Sequence, residues 1–248
     1  MRTAGQWVER RVCGQAPALR LLCLPHAGGA AALFRGWQAM LPASIEVCPL
    51  LLPGRESRLL EPAPTRMSEL VASLWPAVAE LSDVPCVLFG HSMGALVAYE
   101  LARRWQAAGA PPLRHLMVSA MTAPQLRRGG ALHRADDESI VAWLRAHAVT
   151  PTEILASPSL RSLFLPTVRA DLTLVETYQY LTGPRLTCPV TVYVGAADPL
   201  VDAVGCVGWS ALTAGPWRLR RFGGSHFYLT ERRSQVLADI AATLARVA

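Results

Sequence analysis

One pentapeptide constrains the fold of this chain more than any other feature of its sequence. It is Gly90-His91-Ser92-Met93-Gly94, which follows the apolar run Cys86-Val87-Leu88-Phe89 and precedes a helical pattern starting near Ala95. A serine flanked by glycines between a strand and a helix is typical of a sharp turn that projects the hydroxyl above a sheet, because glycines let the two backbones pass closely. The sequence therefore predicts a strand, a tight turn with Ser92 at its apex, and a helix.

Short apolar runs and helical patterns alternate along the rest of the chain. The runs that predict buried strands are residues 19–24, 45–50, 84–89, 113–120, 190–194 and 217–222, and the clearest helical patterns are residues 67–81, 94–108 and 234–247. This alternation indicates an α/β fold with a mostly parallel sheet covered by helices on both faces. In such sheets the chemistry lies beyond the carboxyl ends of the strands.

The segment from about residue 124 to 183 carries helix signals but no convincing strand. Asp136 and Asp137 precede an apolar helical pattern, Pro158 is expected to open a helix over residues 160–164, and Pro166 one over residues 168–181. We expect this helical insertion to form a lid over the strand ends, although its helices could also pack only against the core. Residues 1–248 together are expected to form a single domain.

A serine hydroxyl is a poor nucleophile unless a base removes its proton, so an acid and a histidine should follow Ser92 in the chain. Asp198 lies just beyond the fifth predicted strand, and His226 lies just beyond the sixth. The sequence therefore predicts Ser92, Asp198 and His226 as a catalytic triad. Asp198 could instead be a turn residue, and Asp202 is the competing acid.

The loop after the first predicted strand is the candidate for one half of an oxyanion hole. It reads Pro25-His26-Ala27-Gly28-Gly29-Ala30, and its small residues allow a close approach to a substrate carbonyl. We predict the backbone amide of Ala27 as one donor, with Gly28 as the alternative. The amide of Met93, at the positive end of the helix dipole, is predicted as the other donor.

The composition limits the partners and the compartment that we expect. Hydrophobic residues make up 52% and charged residues 17%, which excludes a disordered chain. The formal charge is +6, but the arginines are scattered without interleaved aromatic residues, so no nucleic-acid partner is predicted. No secretory signal or membrane span is recognised, and the six cysteines show no CxxC spacing. We therefore expect a cytoplasmic protein that does not contact a membrane.

Several stretches resemble the type II thioesterases that accompany modular polyketide synthases and nonribosomal peptide synthetases. They are residues 24–29, 52–56 with Arg58, Glu61 and Pro62, 90–95, 169–171, 195–199 and 223–229. The G-x-S-x-G pattern alone is shared by many hydrolases. The PHAGG loop and the PGRE segment together are much more specific, and the resemblance extends over nearly the whole chain.

The resemblance implies an α/β-hydrolase fold and a discrete serine thioesterase. Such an enzyme hydrolyses acyl groups from the phosphopantetheine arm of acyl- or peptidyl-carrier proteins, and its usual task is to remove stalled or wrong units from a synthase. No cofactor and no metal are expected, and we expect a monomer. Carrier proteins are commonly acidic, which gives the net charge of +6 a use.

Two other functions are compatible with the same sequence. A cyclase or acyltransferase would use the same triad with a hydroxyl or amine in place of water. A non-catalytic module would use the fold only to bind a carrier protein. Within the insertion, Trp143, Leu163, Phe164 and Tyr178 are candidates for lining an acyl channel, but their helical spacing is equally typical of packing.

Overall fold

A six-stranded parallel sheet forms the centre of the protein. The computed structural model describes residues 7–8, 16–147, 150 and 152–247, so Cys13 lies outside the described residues. The strands are Leu19–Leu24 (β1), Ile45–Pro49 (β2), Cys86–His91 (β3), His115–Ser119 (β4), Val190–Gly195 (β5) and Trp217–Phe222 (β6). Their order is β2-β1-β3-β4-β5-β6, with all neighbours parallel. Each predicted strand is present, and no boundary moves by more than two residues. The prediction that β6 is buried is wrong, because this edge strand carries three arginines and is exposed along nearly its whole length.

Helices connect and cover these strands. They are Met67–Glu80 (α1), Met93–Ala107 (α2), Asp137–Ala146 (α3), Thr152–Ala156 (α4), Pro158–Glu176 (α5), Ala203–Val207 (α6), Tyr228–Glu231 (α7) and Arg233–Leu244 (α8). Short 3₁₀ turns lie at Ala31–Phe34, Gln38–Met40, Glu56–Arg58, Pro124–Leu126, Leu132–Arg134 and Gly208–Leu212. None of the described helices has the length and apolar character needed to cross a bilayer.

Two hydrophobic cores lie on opposite faces of the sheet. Along β1, Leu22 and Leu24 belong to one core, whereas Leu21 and Cys23 belong to the other. Helices α1 and α2 pack against the first face, and α8 packs against the second. Because both faces are covered, strands β1 to β5 are buried throughout, as their nearly continuous apolar sequences require. The predicted α/β fold with helices on both faces is confirmed.

The insertion between β4 and β5 contains helices and loops but no strand in its described residues, as the sequence predicts. Asp136 caps α3 by accepting a hydrogen bond from the Ser139 amide at 2.7 Å. Helix α5 starts at Pro158, also as predicted. Residues of α3 and α5 form a third buried cluster of their own.

Helix α5 continues through Pro166 and ends at Glu176, so the prediction that Pro166 opens a separate helix reaching residue 181 is wrong. A proline inside a helix removes a hydrogen bond and costs about 3 kcal/mol. The helix nevertheless continues because Leu165, Val168 and Leu172 are buried against α3. Burial of each such side chain contributes about 1.5 to 3 kcal/mol, which outweighs the local cost.

His115 is buried at the start of β4, at the opposite end of that strand from Ser119, which contacts the serine turn. Its Nε2 lies 2.8 Å from Thr191 Oγ1. Burial, reinforced by the nearby charges of Arg218 and Arg246, lowers the pKa of His115 from 6.5 to about 4. The unfolded chain therefore binds a proton at this residue at pH values where the folded protein does not.

We expect acid to destabilise the fold through His115 before the carboxylates titrate. Below about pH 6.5 the free energy of unfolding should fall with a slope approaching about 1.4 kcal/mol per pH unit from this residue. Urea unfolding of the wild type and of His115→Gln, compared from about pH 7 to about pH 5, measures the slope. The variant should show a shallower dependence on pH, and equal slopes would contradict the assignment.

Candidate active site

Ser92 lies in the turn between β3 and α2 with a strained backbone. Its φ is 53° and its ψ is −120°, a conformation that costs a residue other than glycine about 1 to 3 kcal/mol. The Ser92 amide donates a hydrogen bond of 2.8 Å to the carbonyl of Ser119, at the end of β4. The neighbouring strand therefore holds the turn in place, with Ser92 at the amino end of α2.

Gly90 and Gly94 allow three backbone segments to meet at this turn. A Cβ atom on Gly90 would lie 2.0 Å from the carbonyl oxygen of Gly94, and one on Gly94 would lie 2.2 Å from that of Leu24. No side chain fits at either position. Leu24 ends β1 and is paired with Gly90 of β3, so the loop after β1 begins directly beside the serine turn.

Asp198 and His226 are joined by a hydrogen bond. Asp198 Oδ2 lies 2.8 Å from His226 Nδ1, and the side chain of Asp198 has no solvent exposure. Asp198 Oδ1 also accepts a hydrogen bond of 2.9 Å from the amide of Leu200. Asp202, the competing acid, instead caps α6 by accepting from the amide of Gly205 at 2.7 Å. The structure therefore places Asp198, and not Asp202, against His226.

Ser92 and His226 line one pocket of about 310 Å³. Ala27 and Met93, the residue after Ser92, line the same pocket. The rest of the lining comes from the residues after β4, from α3 and α5, and from the loop after β5, and much of it is apolar. A pocket of this kind suits the hydrocarbon part of an acyl group.

Only one of the four insertion residues considered for an acyl channel lines this pocket. Trp143 of α3 does so. Leu163 is 56% exposed, and Phe164 packs against the cluster formed by α3 and α5. Tyr178 donates a hydrogen bond of 2.6 Å to Glu100.

A second, larger hollow of about 1140 Å³ lies between α1, α2 and the end of α5. Its lining includes Arg66, Glu100, Arg104 and Tyr178 but neither Ser92 nor His226. It is an open groove, whereas the smaller pocket contains the groups with recognisable chemistry. Size alone therefore does not identify the candidate active site in this protein.

A buried hydrogen-bonded chain supports the site from below, and sequence reasoning did not find it. His91 Nδ1 lies 2.8 Å from Ser119 Oγ, which lies 2.6 Å from the hydroxyl of Tyr228. The rings of His91 and His226 are 5.2 Å apart. Burial, with His226 and His26 nearby, lowers the pKa of His91 well below its ordinary value of 6.5. His91 is therefore neutral and adds no positive charge beside His226.

Three histidines, His26, His91 and His226, gather near Ser92, and histidine is a common metal ligand. Within the described ranges, however, no group of three or more His, Cys, Asp or Glu side chains is placed to hold a metal ion. The five cysteines that the structure describes are buried.

The two predicted oxyanion donors differ from the alternative in their hydrogen bonding. The amide of Gly28 donates to Asp171 Oδ2 at 2.7 Å, so this amide already has a partner. The amides of Ala27 and Met93 donate to no acceptor in the part of the chain that the structure describes. Met93 is the first residue of α2, where a helix leaves its amides without internal partners.

A buried ion pair fastens the loop after β1 to the helical insertion. The guanidinium of Arg55 donates two hydrogen bonds of 2.8 Å to the carboxylate of Asp171 in α5, and both side chains are more than nine-tenths buried. Arg55 also donates to the carbonyl of Gly29 at 2.8 Å, while Asp171 accepts from the amide of Gly28. Bidentate pairs of this type are strong and directional, so both partners fix the position of the loop.

Further hydrogen bonds strengthen the same connection. Glu56 accepts from the amides of Ala31 and Ala32, at 3.0 and 3.1 Å. Thr167 of α5 donates to the carbonyl of Gly54 at 2.6 Å. The PGRE segment is therefore a structural bridge between the loop after β1 and α5. The sequence marked these residues as specific without indicating what they contact.

Comparison with known proteins assigns the chain to a family. A family model described as "Thioesterase domain" matches residues 19–244. The chain belongs to the thioesterase family. The predicted class of enzyme, a serine thioester hydrolase with the α/β-hydrolase fold, is thereby confirmed.

Individual relatives are also named as thioesterases. A Streptomyces griseus protein described as a "probable cadicidin biosynthesis thioesterase" is 36% identical over 98% of this chain and 67% of its own length. Thioesterase PikA5 of Streptomyces venezuelae is 34% identical over 96% of this chain and 85% of its own. The structure of the type II thioesterase BorB, from the borrelidin biosynthetic cluster, superposes with a TM-score of 0.88 at 38% identity and covers 98% of this chain and 99% of BorB. The resemblance to type II thioesterases is therefore confirmed.

We expect the ion pair between Arg55 and Asp171 to support turnover as well as stability. Asp171→Leu leaves a buried guanidinium unpaired and should lower the free energy of unfolding by about 3 to 5 kcal/mol. Combining it with Arg55→Met removes both charges and should restore most of that stability. In both proteins kcat should fall about ten- to a hundredfold with little change in KM, because the loop loses its anchors.

Urea unfolding and steady-state thioester hydrolysis, measured on the same protein preparations, separate the two effects. If kcat of the double variant returned to the wild-type value together with its stability, the pair would have a purely structural role. Persistence of the low kcat at restored stability supports the positioning of the loop.

Proposed function

We propose that the protein hydrolyses acyl thioesters on the phosphopantetheine arm of a carrier protein through Ser92, His226 and Asp198. The observation that carries this proposal is the 2.8 Å hydrogen bond between Asp198 and His226 at a pocket whose wall includes Ser92. These residues match the roles of nucleophile, base and orienting acid in serine hydrolases. The relatives from cadicidin and borrelidin biosynthesis support a role in a polyketide or nonribosomal peptide pathway.

In the proposed mechanism His226 takes the proton of Ser92 as the serine oxygen attacks the thioester carbonyl. The resulting oxyanion accepts hydrogen bonds from the amides of Ala27 and Met93. The thiolate of the pantetheine arm then leaves with a proton from His226, and an acyl-enzyme remains. His226 next removes a proton from water as the water attacks the acyl-enzyme, and it then returns this proton to the departing oxygen of Ser92. The free acid is released, and the serine hydroxyl and neutral His226 are regenerated.

The surroundings of His226 favour this proton transfer. The fully buried carboxylate of Asp198 stabilises the imidazolium that forms, because solvent screens the attraction only weakly. Neutral His91, 5.2 Å from His226, does not oppose the new charge. When Nδ1 donates its hydrogen bond to Asp198, Nε2 carries no proton and is free to accept the proton of Ser92.

The helical insertion at about residues 124–183 is proposed to act as a lid. Residues of α3 and α5, including Trp143 and Leu172, line the pocket of Ser92, and Asp171 of α5 contacts the loop after β1. Helices that cover the acyl group would exclude nucleophiles larger than water while water hydrolyses the acyl-enzyme. We likewise propose that the sheet and the insertion belong to one domain, which comprises residues 1–248.

We also propose that the protein acts as a monomer on an acidic carrier protein. The edge strand β6 carries Arg218, Arg220 and Arg221, and such charges oppose edge-to-edge pairing of two copies. The net charge of +6 would attract an acidic partner.

Ser92→Ala should abolish hydrolysis. Loss of the nucleophile of a triad typically lowers kcat by about six orders of magnitude, because no acyl-enzyme forms. Asp198→Asn should lower kcat by about four orders of magnitude, since the imidazole loses its orientation. Release of free acid from an acyl-loaded carrier protein, followed by mass spectrometry, measures both effects.

The matched control is Ser73→Ala, at an exposed serine of α1, which should retain wild-type activity. Retention of most activity by Ser92→Ala would disprove the assignment. A fluorophosphonate probe should label the wild type and Ser73→Ala but not Ser92→Ala. Absence of labelling of the folded wild type would favour the non-catalytic carrier-binding module.

The product distinguishes hydrolysis from the alternative cyclase or acyltransferase reaction. We expect a linear free acid carrying an oxygen from water, so reaction in ¹⁸O-water should label the carboxyl group of the product. A cyclic product, or an ester or amide formed with an added acceptor, would show that another nucleophile replaces water.

A further inference from the structure

The guanidinium of Arg127 lines the same pocket as Ser92 without pairing with a carboxylate. Arg127 follows the short 3₁₀ turn after β4 and is half-buried. It donates one hydrogen bond to the sulfur of Met121 at 3.0 Å and one to the carbonyl of Val175 at 3.3 Å. Across the described residues these are its hydrogen-bond partners; the thioether is a weak acceptor, and neither partner carries a negative charge.

Other interior arginines of this protein follow a different rule. Arg20, Arg55 and Arg58 are the buried arginines of the described chain, and each pairs with a carboxylate. Their partners are Glu46, Asp171 and Glu61, respectively. Buried charges are normally compensated in this way, because an unpaired charge is costly to desolvate. Arg127 is half-buried rather than fully buried, and no carboxylate among the described residues forms an ion pair with it at the pocket that contains Ser92.

The carboxylate of Glu176 lies in the same pocket but is already engaged. It accepts from the amides of Leu132 and His133, at 3.1 and 2.8 Å, and lies 2.6 Å from His133 Nδ1. Burial lowers the pKa of Arg127, although Tyr178 and Glu176 oppose this shift. Even so, an arginine stays protonated near neutral pH, so its guanidinium keeps a full charge in the pocket.

We propose that Arg127 binds an anionic oxygen group of the substrate inside this pocket. The guanidinium presents a planar fork of donors that matches a carboxylate or a phosphate. The inference rests on the proposed function, and that substrate offers two sources of such a group. One is a carboxylate at the far end of the acyl chain, and the other is the phosphate of the phosphopantetheine arm.

A purely structural role for Arg127 makes a different prediction. Val175 lies in the last turn of α5, where a cation stabilises the unpaired carbonyls of a helix. In that case, replacing Arg127 would reduce stability and lower activity on all substrates equally. Binding of an anion would instead change the preference between substrates.

The test compares Arg127→Met with the wild type on hexanoyl and adipoyl thioesters, each prepared on pantetheine and on phosphopantetheine. Within each pair only the anionic group differs. The ratio of the two kcat/KM values in a pair does not depend on how much of the enzyme is folded, so a loss of stability cannot imitate the effect. Arg127→Gln provides a second variant should the first one fold poorly.

We expect the wild type to favour the anionic member of one pair and Arg127→Met to reduce that ratio about tenfold or more. A fall in the adipoyl-to-hexanoyl ratio identifies the acyl carboxylate, and a fall in the phosphopantetheine-to-pantetheine ratio identifies the phosphate. Arg114→Met removes an equal charge just before β4, at the amino end of the strand, whereas Arg127 follows its carboxyl end. This variant should change neither ratio.

If neither ratio changes in Arg127→Met, the proposal is overturned and Arg127 is structural. Hydrolysis of all these thioesters by the wild type would leave the proposed function standing in that case. If the wild type hydrolyses none of them, even when they are loaded on a carrier protein, the proposed function itself fails.

Discussion

The close approach of β1, β3 and the first turn of α2 is the constraint on which the rest of the structure depends. The carbonyl of Leu24 occupies the space where a side chain at residue 94 would lie, and the carbonyl of Gly94 occupies that of residue 90. This contact brings the loop after β1 beside Ser92, so the proposed nucleophile and both proposed oxyanion donors share one corner of the sheet. The strain of about 1 to 3 kcal/mol at Ser92 is sustained by these contacts and by the bond to Ser119.

The buried ion pair between Arg55 and Asp171 joins that corner of the sheet to the helical insertion. Arg55 and Asp171 both contact the loop after β1, and Asp171 belongs to the helix that also lines the pocket. A movement of α5 away from the sheet would therefore displace the amides beside Ser92 as well as the wall of the pocket. The buried pair therefore joins the wall of the pocket and the proposed oxyanion donors in one packing arrangement.

The sequence predicts those features that depend on local order along the chain. Short apolar runs predict most of the strands, and the positions of Asp198 and His226 directly after such runs indicate their place at the strand ends. Asp171 bonds to Arg55, 116 residues away, and no local pattern indicates that contact. The prediction of a helix boundary at Pro166 is wrong for a related reason. Proline locally disfavours the interior of a helix, but tertiary packing of the residues around Pro166 keeps α5 continuous.

Electrostatic arrangement distinguishes the pocket from the rest of the interior. Elsewhere the buried arginines are neutralised by carboxylates, and His91 avoids charge altogether. At the pocket, Asp198 is placed to compensate the positive charge of His226, and this charge forms only during the proposed reaction. Arg127 is the converse, because its charge is present at rest while its hydrogen bonds go to a thioether and a carbonyl. Neither of these acceptors carries a charge, and this is why an anionic group of the substrate is the proposed partner of Arg127.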